Sequence, residues 1–139
     1  MQRIYLTFVV LFLFIAGVSA QPNNKLLAAS FARGKTVYLQ RCMVCHQADG
    51  GGVPKLNAPL DASSAVNGSD VSKLIKYIVK GFADRVEIDG ELYSNAMPAA
   101  ADLTDQQIAD VLTFIRSNWS NKAGPVTILQ VKQTRSKLK

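Results

Sequence analysis

The two cysteines and the single histidine of this 139-residue chain lie within five consecutive positions, Cys42-Met43-Val44-Cys45-His46. A thioredoxin-like redox pair is disfavoured, because the surrounding sequence lacks the alternation of strands and helices which that fold requires. A structural zinc site is disfavoured because it usually needs four protein ligands, and the chain has no further cysteine or histidine. A Cys42–Cys45 disulfide would close a very short loop, add little stability and leave His46 unexplained.

The spacing Cys-x-x-Cys-His is also the signal for covalent attachment of haem. In helical conformation Cys42 and Cys45 lie on one face, so both sulfurs can form thioethers with one porphyrin. His46 then projects towards the iron as the proximal ligand. We therefore predict one covalent haem c held by Cys42 and Cys45, with His46 on the iron. A haem-free interaction module with a Cys42–Cys45 disulfide is the alternative.

Met97 is the candidate for the second axial ligand of the iron. The chain has three methionines; Met1 belongs to the leader, and Met43 lies inside the attachment loop on the wrong side of the ring. Met97 follows far downstream, and Pro98 would stiffen the segment that presents it. An ordinary core role is the alternative for Met97. A thioether ligand would close the site, which favours an electron carrier over an enzyme; a haem enzyme or gas sensor with a displaceable Met97 is the rival.

The first twenty residues have the pattern of a secretory signal peptide. A basic Arg3 is followed by an uncharged apolar run from Ile4 to Val18 and by small residues up to Ala20. This predicts export to the periplasm and a mature domain over residues 21–139. The apolar run is short for a membrane-spanning helix, although an uncleaved anchor is the alternative.

Apolar periodicity and capping residues predict an all-α fold with three main helices and a short C-terminal one. The first is expected over 28–41, before a Gly- and Pro-rich loop over 49–67. The second is capped by Ser69 or Asp70 and ends at Lys80-Gly81. Asp89-Gly90 predicts a short hairpin. The last main helix begins with Thr104 and Gln107 in capping-box spacing, with one apolar face formed by Ile108, Val111, Leu112, Ile115 and Trp119; the short helix follows Gly124-Pro125.

The formal net charge of +6 favours acidic partner surfaces. Basic residues are scattered rather than clustered on one helix, which argues against nucleic-acid binding. We expect redox partner proteins with acidic docking surfaces, and membrane association only through a partner complex or an uncleaved leader. The candidate steering residues are Arg33, Lys35, Arg41, Lys55, Lys73, Lys76 and Lys80.

Residues 30–120 resemble the class I monohaem cytochromes c in their bacterial periplasmic form. The resemblance rests on Gly34 and Tyr38, the Cys42-x-x-Cys45-His46 motif, the Gly50 to Leu56 loop, Met97-Pro98 and the LTDQQIADVLTFIRSNW helix. It implies a cytochrome c-like fold around one haem, and electron transfer. The stretch from Arg85 to Met97, together with residues 123–127 after the last main helix, is similar to cytochrome domains that are fused to, or subunits of, periplasmic dehydrogenases and oxidases. Whether the protein is a free carrier or a complex subunit is left open.

The resemblance also implies roles for single residues. Gly34 would let the first helix approach the last one near Phe114. The Pro54 carbonyl would accept a hydrogen bond from the His46 ring, fixing its orientation. Tyr93 and Trp119 would be haem-pocket or propionate-side groups, with a plain core role as the alternative.

Overall fold

A computed structural model describes residues 22–138. Within them the chain forms six helices and one two-stranded antiparallel hairpin: α1 (Pro22–Arg41), α2 (Met43–His46), α3 (Ser64–Asn67), α4 (Val71–Lys80), β1 (Val86–Ile88), β2 (Glu91–Tyr93), α5 (Asp105–Ser117) and α6 (Ile128–Ser136). The predicted all-α class is therefore confirmed. The signal peptide predicted over residues 1–20 lies outside the described residues.

Helix α1 begins at Pro22, earlier than the predicted start at Ala28. Proline suits the first turn of a helix, where its missing N–H is not needed. Residues 23–29, Leu26 and Leu27 among them, are all exposed, so this part of the helix has no buried face for an apolar period to mark. The helix therefore extends well before its buried portion.

Helices α1 and α5 pack at very close range through Gly34. A Cβ atom added at Gly34 would lie 2.8 Å from the Phe114 Cβ, and closer still to the backbone carbonyl of Asp110. Any larger side chain would force the helices apart. The predicted close approach of the first and last main helices near Phe114 is confirmed.

The buried Asp110 carboxylate links α1 and α5 through hydrogen bonds. The Asp110 side chain, 2% exposed, accepts hydrogen bonds from Arg33 Nε at 2.7 Å and Ser30 Oγ at 2.6 Å. Gln106 Nε2 donates a further one at 2.9 Å. Burial alone would raise the pKa of Asp110, but the donors Arg33, Ser30 and Gln106 outweigh it and hold the pKa below its usual value.

The predicted helix boundaries follow from local capping. Asp70 caps α4 by accepting a hydrogen bond from the Ser72 backbone N–H, and Gly81, with φ 62°, ends that helix. Thr104 and Gln107 form the predicted capping box of α5. The hairpin turns at Asp89-Gly90, both with positive φ, as predicted.

Trp119 lies beyond α5, which ends at Ser117, so its predicted place on the helical face is wrong. Its backbone turns into the left-handed region, with φ 52°. The ring packs edge-on against Tyr38 and Phe114, with centroids 5.3 and 5.7 Å away, and its Nε1 donates to the Ala48 carbonyl. Trp119 thus closes an aromatic cluster at the α1–α5 interface.

Helix α6 packs across α4 and α5. Val131 is fully buried there, and Arg135 Nε lies 3.3 Å from the Asp105 carboxylate. Thr127 and Gln130 form its capping box. The predicted short C-terminal helix is confirmed, and its contacts with α4 and α5 make it part of the packed domain rather than a frayed basic extension. None of the helices within residues 22–138 combines the length and apolar character needed to cross a membrane.

Candidate haem site

One face of the fold opens into an apolar cavity of about 690 Å³, its mouth included. Helix α4 contributes Leu74 and Ile78 to its wall, and α5 contributes Leu112 and Ile115. The amphipathic faces predicted for these helices therefore line the cavity as well as the core.

Cys42, directly after α1, borders this cavity, and Cys45, in α2, borders a neighbouring one together with Cys42. Helix α2 is a single turn, closed by the hydrogen bond from His46 N to the Cys42 carbonyl at 2.9 Å. Neither cysteine is in a disulfide, and both are half-buried. Burial raises the pKa of the Cys42 thiol to about 11, although Arg41 opposes the shift. An uncharged sulfur, as in a thiol or a thioether, therefore suits this position.

His46 shares the cavity with Cys42. Its Nδ1 lies 2.9 Å from the Ala58 carbonyl oxygen. Because a carbonyl can only accept, Nδ1 carries the proton and Nε2 is left with the lone pair that binds metals. Burial lowers the pKa of His46, with the Ala58 hydrogen bond opposing it, so the neutral imidazole is favoured.

Ala58, and not Pro54, thus holds the histidine ring, so the role predicted for the Pro54 carbonyl is wrong. Pro54 lies inside a tight turn that is closed by the Val53–Asn57 bridge. Gly52 has φ 67°, and no Cβ would fit there beside the Ala58 carbonyl. The turn consequently places the carbonyl of the next residue, Ala58, beside the His46 ring.

Met97 borders the same cavity as His46. Its backbone forms a two-way bridge with Phe82, with both N···O distances at 2.9 Å. Gly81 makes this possible, since an added Cβ would lie 2.7 Å from the Ala99 nitrogen. Gly81 was predicted only as a helix stop; its second role depends on a long-range contact that no local pattern reveals.

Tyr93, on β2, is buried and lines a second cavity together with Cys45, His46 and Met97. Its predicted placement beside the site agrees with this position. Trp119 does not border the cavities described here; it belongs to the aromatic cluster instead.

The residues present fit a c-type haem. Two cysteine sulfurs, an oriented imidazole and a thioether converge on apolar walls, which is the donor set of such a group. Ser63, missed by the sequence analysis, lines the cavity, and its buried Oγ has no hydrogen-bond partner among the described residues. A buried hydroxyl needs a partner, which the polar edge of a haem can supply. Within residues 22–138, no three His, Cys, Asp or Glu side chains cluster as an alternative metal site.

Comparison with known proteins places the chain in the cytochrome c family: the family model described as cytochrome c matches residues 31–119. Cytochrome c-552 of Thermus thermophilus is 32% identical over 119 residues, which cover 80% of each chain. The predicted resemblance is therefore confirmed. The protein carries covalently bound haem c and transfers electrons, as this family does.

Two further relatives are subunits of larger proteins. The cytochrome c subunit of a quinone-dependent alcohol dehydrogenase from Komagataeibacter europaeus is 37% identical over 111 residues, 73% of this chain. The gluconate 2-dehydrogenase cytochrome c subunit of Pantoea cypripedii is 35% identical over 95 residues, 65% of this chain. The chain spans only 22% and 21% of the lengths of these two relatives.

Proposed function

We propose that this protein is an exported, periplasmic carrier of single electrons whose haem iron is bound by His46 and Met97. The observation that supports this most is the shared cavity: His46 comes from α2, Met97 comes from the segment after the hairpin, and both border the same space as Cys42. Such a pair of side chains would fill both axial positions and leave none for a substrate.

When bound, the haem supplies the reversible one-electron chemistry. The chain's own residues hold and shield it. Cys42 and Cys45 would fix its edge, while the Ala58 carbonyl holds the His46 ring in one orientation. The bridge to Phe82 fixes the Met97 backbone. Apolar side chains line the cavity, and a filled sixth position would leave no site on the iron for oxygen.

The axial-ligand proposal is tested by comparing Met97→Leu with Met43→Leu in the holoprotein. The Met97 variant should lose the ferric thioether-to-iron charge-transfer absorption, bind carbon monoxide in the ferrous state, and show a lower midpoint potential. The Met43 variant is the matched control and should retain the wild-type spectrum. Charge-transfer absorption that survives in Met97→Leu would refute ligation by Met97. Wild-type protein that binds carbon monoxide rapidly would instead favour a haem enzyme or gas sensor.

Covalent attachment is tested by haem staining of a denaturing gel. Wild-type protein should stain, and the double variant Cys42→Ala, Cys45→Ala should not. Unstained wild-type protein, isolated from a host competent in haem attachment, would favour the haem-free disulfide module. Mass spectrometry of the mature chain in the same preparation tests cleavage after Ala20.

We further propose that lysines steer encounter with acidic redox partners. Arg33 and Arg41 are already paired with carboxylates at 2.7 and 2.8 Å. Lys73, Lys76 and Lys80, by contrast, lie exposed along α4. Rates of electron transfer should fall as salt rises, and they should fall less steeply in a Lys73→Gln, Lys76→Gln variant. Rates that do not depend on ionic strength would exclude steering.

A second candidate function is an electron-transfer subunit of a periplasmic dehydrogenase. The similarity to dehydrogenase cytochrome subunits favours it. Size-exclusion chromatography of the holoprotein with a purified quinone-dependent dehydrogenase separates the two candidates. Fast reduction without comigration supports a free carrier, whereas a stable complex supports a subunit.

A further inference from the structure

Arg116 is a buried cation of α5 whose hydrogen-bond partners within residues 22–138 are all backbone carbonyls. The residue is 5% exposed. Its Nε donates to the Gly124 carbonyl at 2.9 Å, and one of its terminal nitrogens donates to the carbonyls of Val66 and Gly68. The guanidinium thus joins three segments of the chain.

No carboxylate within residues 22–138 forms an ion pair with Arg116. Arg33, Arg41 and Arg135 differ, because each lies within 3.3 Å of an aspartate oxygen. Burial lowers the pKa of Arg116, yet a guanidinium stays protonated in proteins at neutral pH. One positive charge is therefore buried here without an anionic neighbour.

This charge lies directly behind the wall of the haem cavity. Val66, whose carbonyl Arg116 binds, lines that cavity, and so does Ile115, the preceding residue in α5. Val66 and Ile115 are both buried in the apolar core of the described residues. Electrostatic interactions across such a region are stronger than in water and are screened little by salt.

We propose that Arg116 raises the reduction potential of the haem by placing an uncompensated positive charge beside its cavity. Loss of one electron to a partner leaves the cavity more positive by one unit of charge. A buried cation nearby raises the free energy of that oxidised state more than that of the reduced state. Arg116 is thus a tuning residue that acts through space and touches no reacting atom. The inference rests on the proposed electron-carrier function.

The test is a redox titration of holoprotein variants followed by visible absorption. Arg116→Gln removes the charge, and Arg116→Lys keeps it while losing the forked contact with the carbonyls. Lys122→Gln is the matched control, because it removes one charge from an exposed position of the same region. We expect a clearly lower midpoint potential for Arg116→Gln, a value close to wild type for Arg116→Lys, and no change for Lys122→Gln.

An unchanged potential in Arg116→Gln, or equal falls in the Gln and Lys variants, would overturn the proposal and leave Arg116 a purely structural role. Retained charge-transfer absorption in each variant separates this outcome from failure of the Met97 proposal.

If Arg116→Gln does not hold haem, Arg116→Met replaces it, because it removes the charge and keeps a side chain of similar length. Its potential should lie below that of Arg116→Lys, which keeps the charge. Equal potentials for the Met and Lys variants would then refute the proposal.

Discussion

Gly34→Ala should destabilise the protein although it adds only one methyl group. In an ordinary helix interior the same change is stabilising, because alanine has the better helix propensity. Here the added Cβ would overlap the Asp110 backbone carbonyl and lie 2.8 Å from the Phe114 Cβ. The end of a flexible side chain could rotate away from the new methyl group, but helix backbone cannot. The added methyl group therefore forces α1 and α5 apart.

The size of the effect follows from two opposing terms. Overpacking costs about 1–3 kcal/mol, and backbone contact argues for the upper end, while helix propensity returns about 1 kcal/mol. The expected net loss is about 2 kcal/mol, which in a domain of this size lowers Tm by about 8 °C.

Thermal unfolding of the holoprotein, followed by circular dichroism, measures this loss. Ala32→Gly is the matched control for helix propensity, because Ala32 is exposed in the same helix; it should cost about 1 kcal/mol. Gly124→Ala, where a Cβ meets nothing, should have little effect. An unchanged or higher Tm for Gly34→Ala would refute the argument that the two helices are in backbone contact.

Three further outcomes are expected. Asp110→Asn should lower the free energy of unfolding by about 2 kcal/mol at neutral pH, because the donors now face a neutral amide. Because the pKa of Asp110 is lowered in the folded protein, this difference from wild type should be constant above about pH 5 and should shrink below about pH 4, as the wild-type carboxylate protonates. Urea unfolding at a series of pH values measures it. A difference that grows on acidification would contradict the shift. Thr104→Ala should cost about 1 kcal/mol through loss of the α5 capping box, with Ser117→Ala at the other end of the helix for comparison by the same assay. Apoprotein should unfold at a much lower temperature than holoprotein, since the ligand fills much of the core; equal calorimetric transitions would contradict this.

Local chemistry made most helix boundaries predictable. Asp70 and Thr104 are capping residues whose partners lie two or three positions away, so the sequence alone contains the whole interaction. The Asp89-Gly90 turn is equally local. The start of α1 was predicted too late because residues 23–29 are exposed and carry no apolar periodicity.

The parts of the site that sequence reasoning missed depend on long-range geometry. The carbonyl that orients His46 is chosen by the turn at Gly52, which moves the contact from Pro54 to Ala58. Gly81 leaves no room for a side chain because the backbone of Met97 and Ala99, which come after the hairpin, packs against it. The roles of Cys42, Cys45 and His46 could be predicted from the sequence alone, because covalent haem attachment requires the Cys-x-x-Cys-His spacing.

The Phe82–Met97 bridge has a kinetic consequence. The backbone of Met97, the proposed thioether ligand, both donates a hydrogen bond to Phe82 and accepts one from it, just beyond the end of α4. Ala100 N donates a further hydrogen bond to the Ile78 carbonyl at 2.7 Å. A ligand on so rigid a support changes its position little when the charge on the iron changes. Nuclear reorganisation is then small, and two molecules of this protein, one oxidised and one reduced, should exchange an electron quickly even without a driving force.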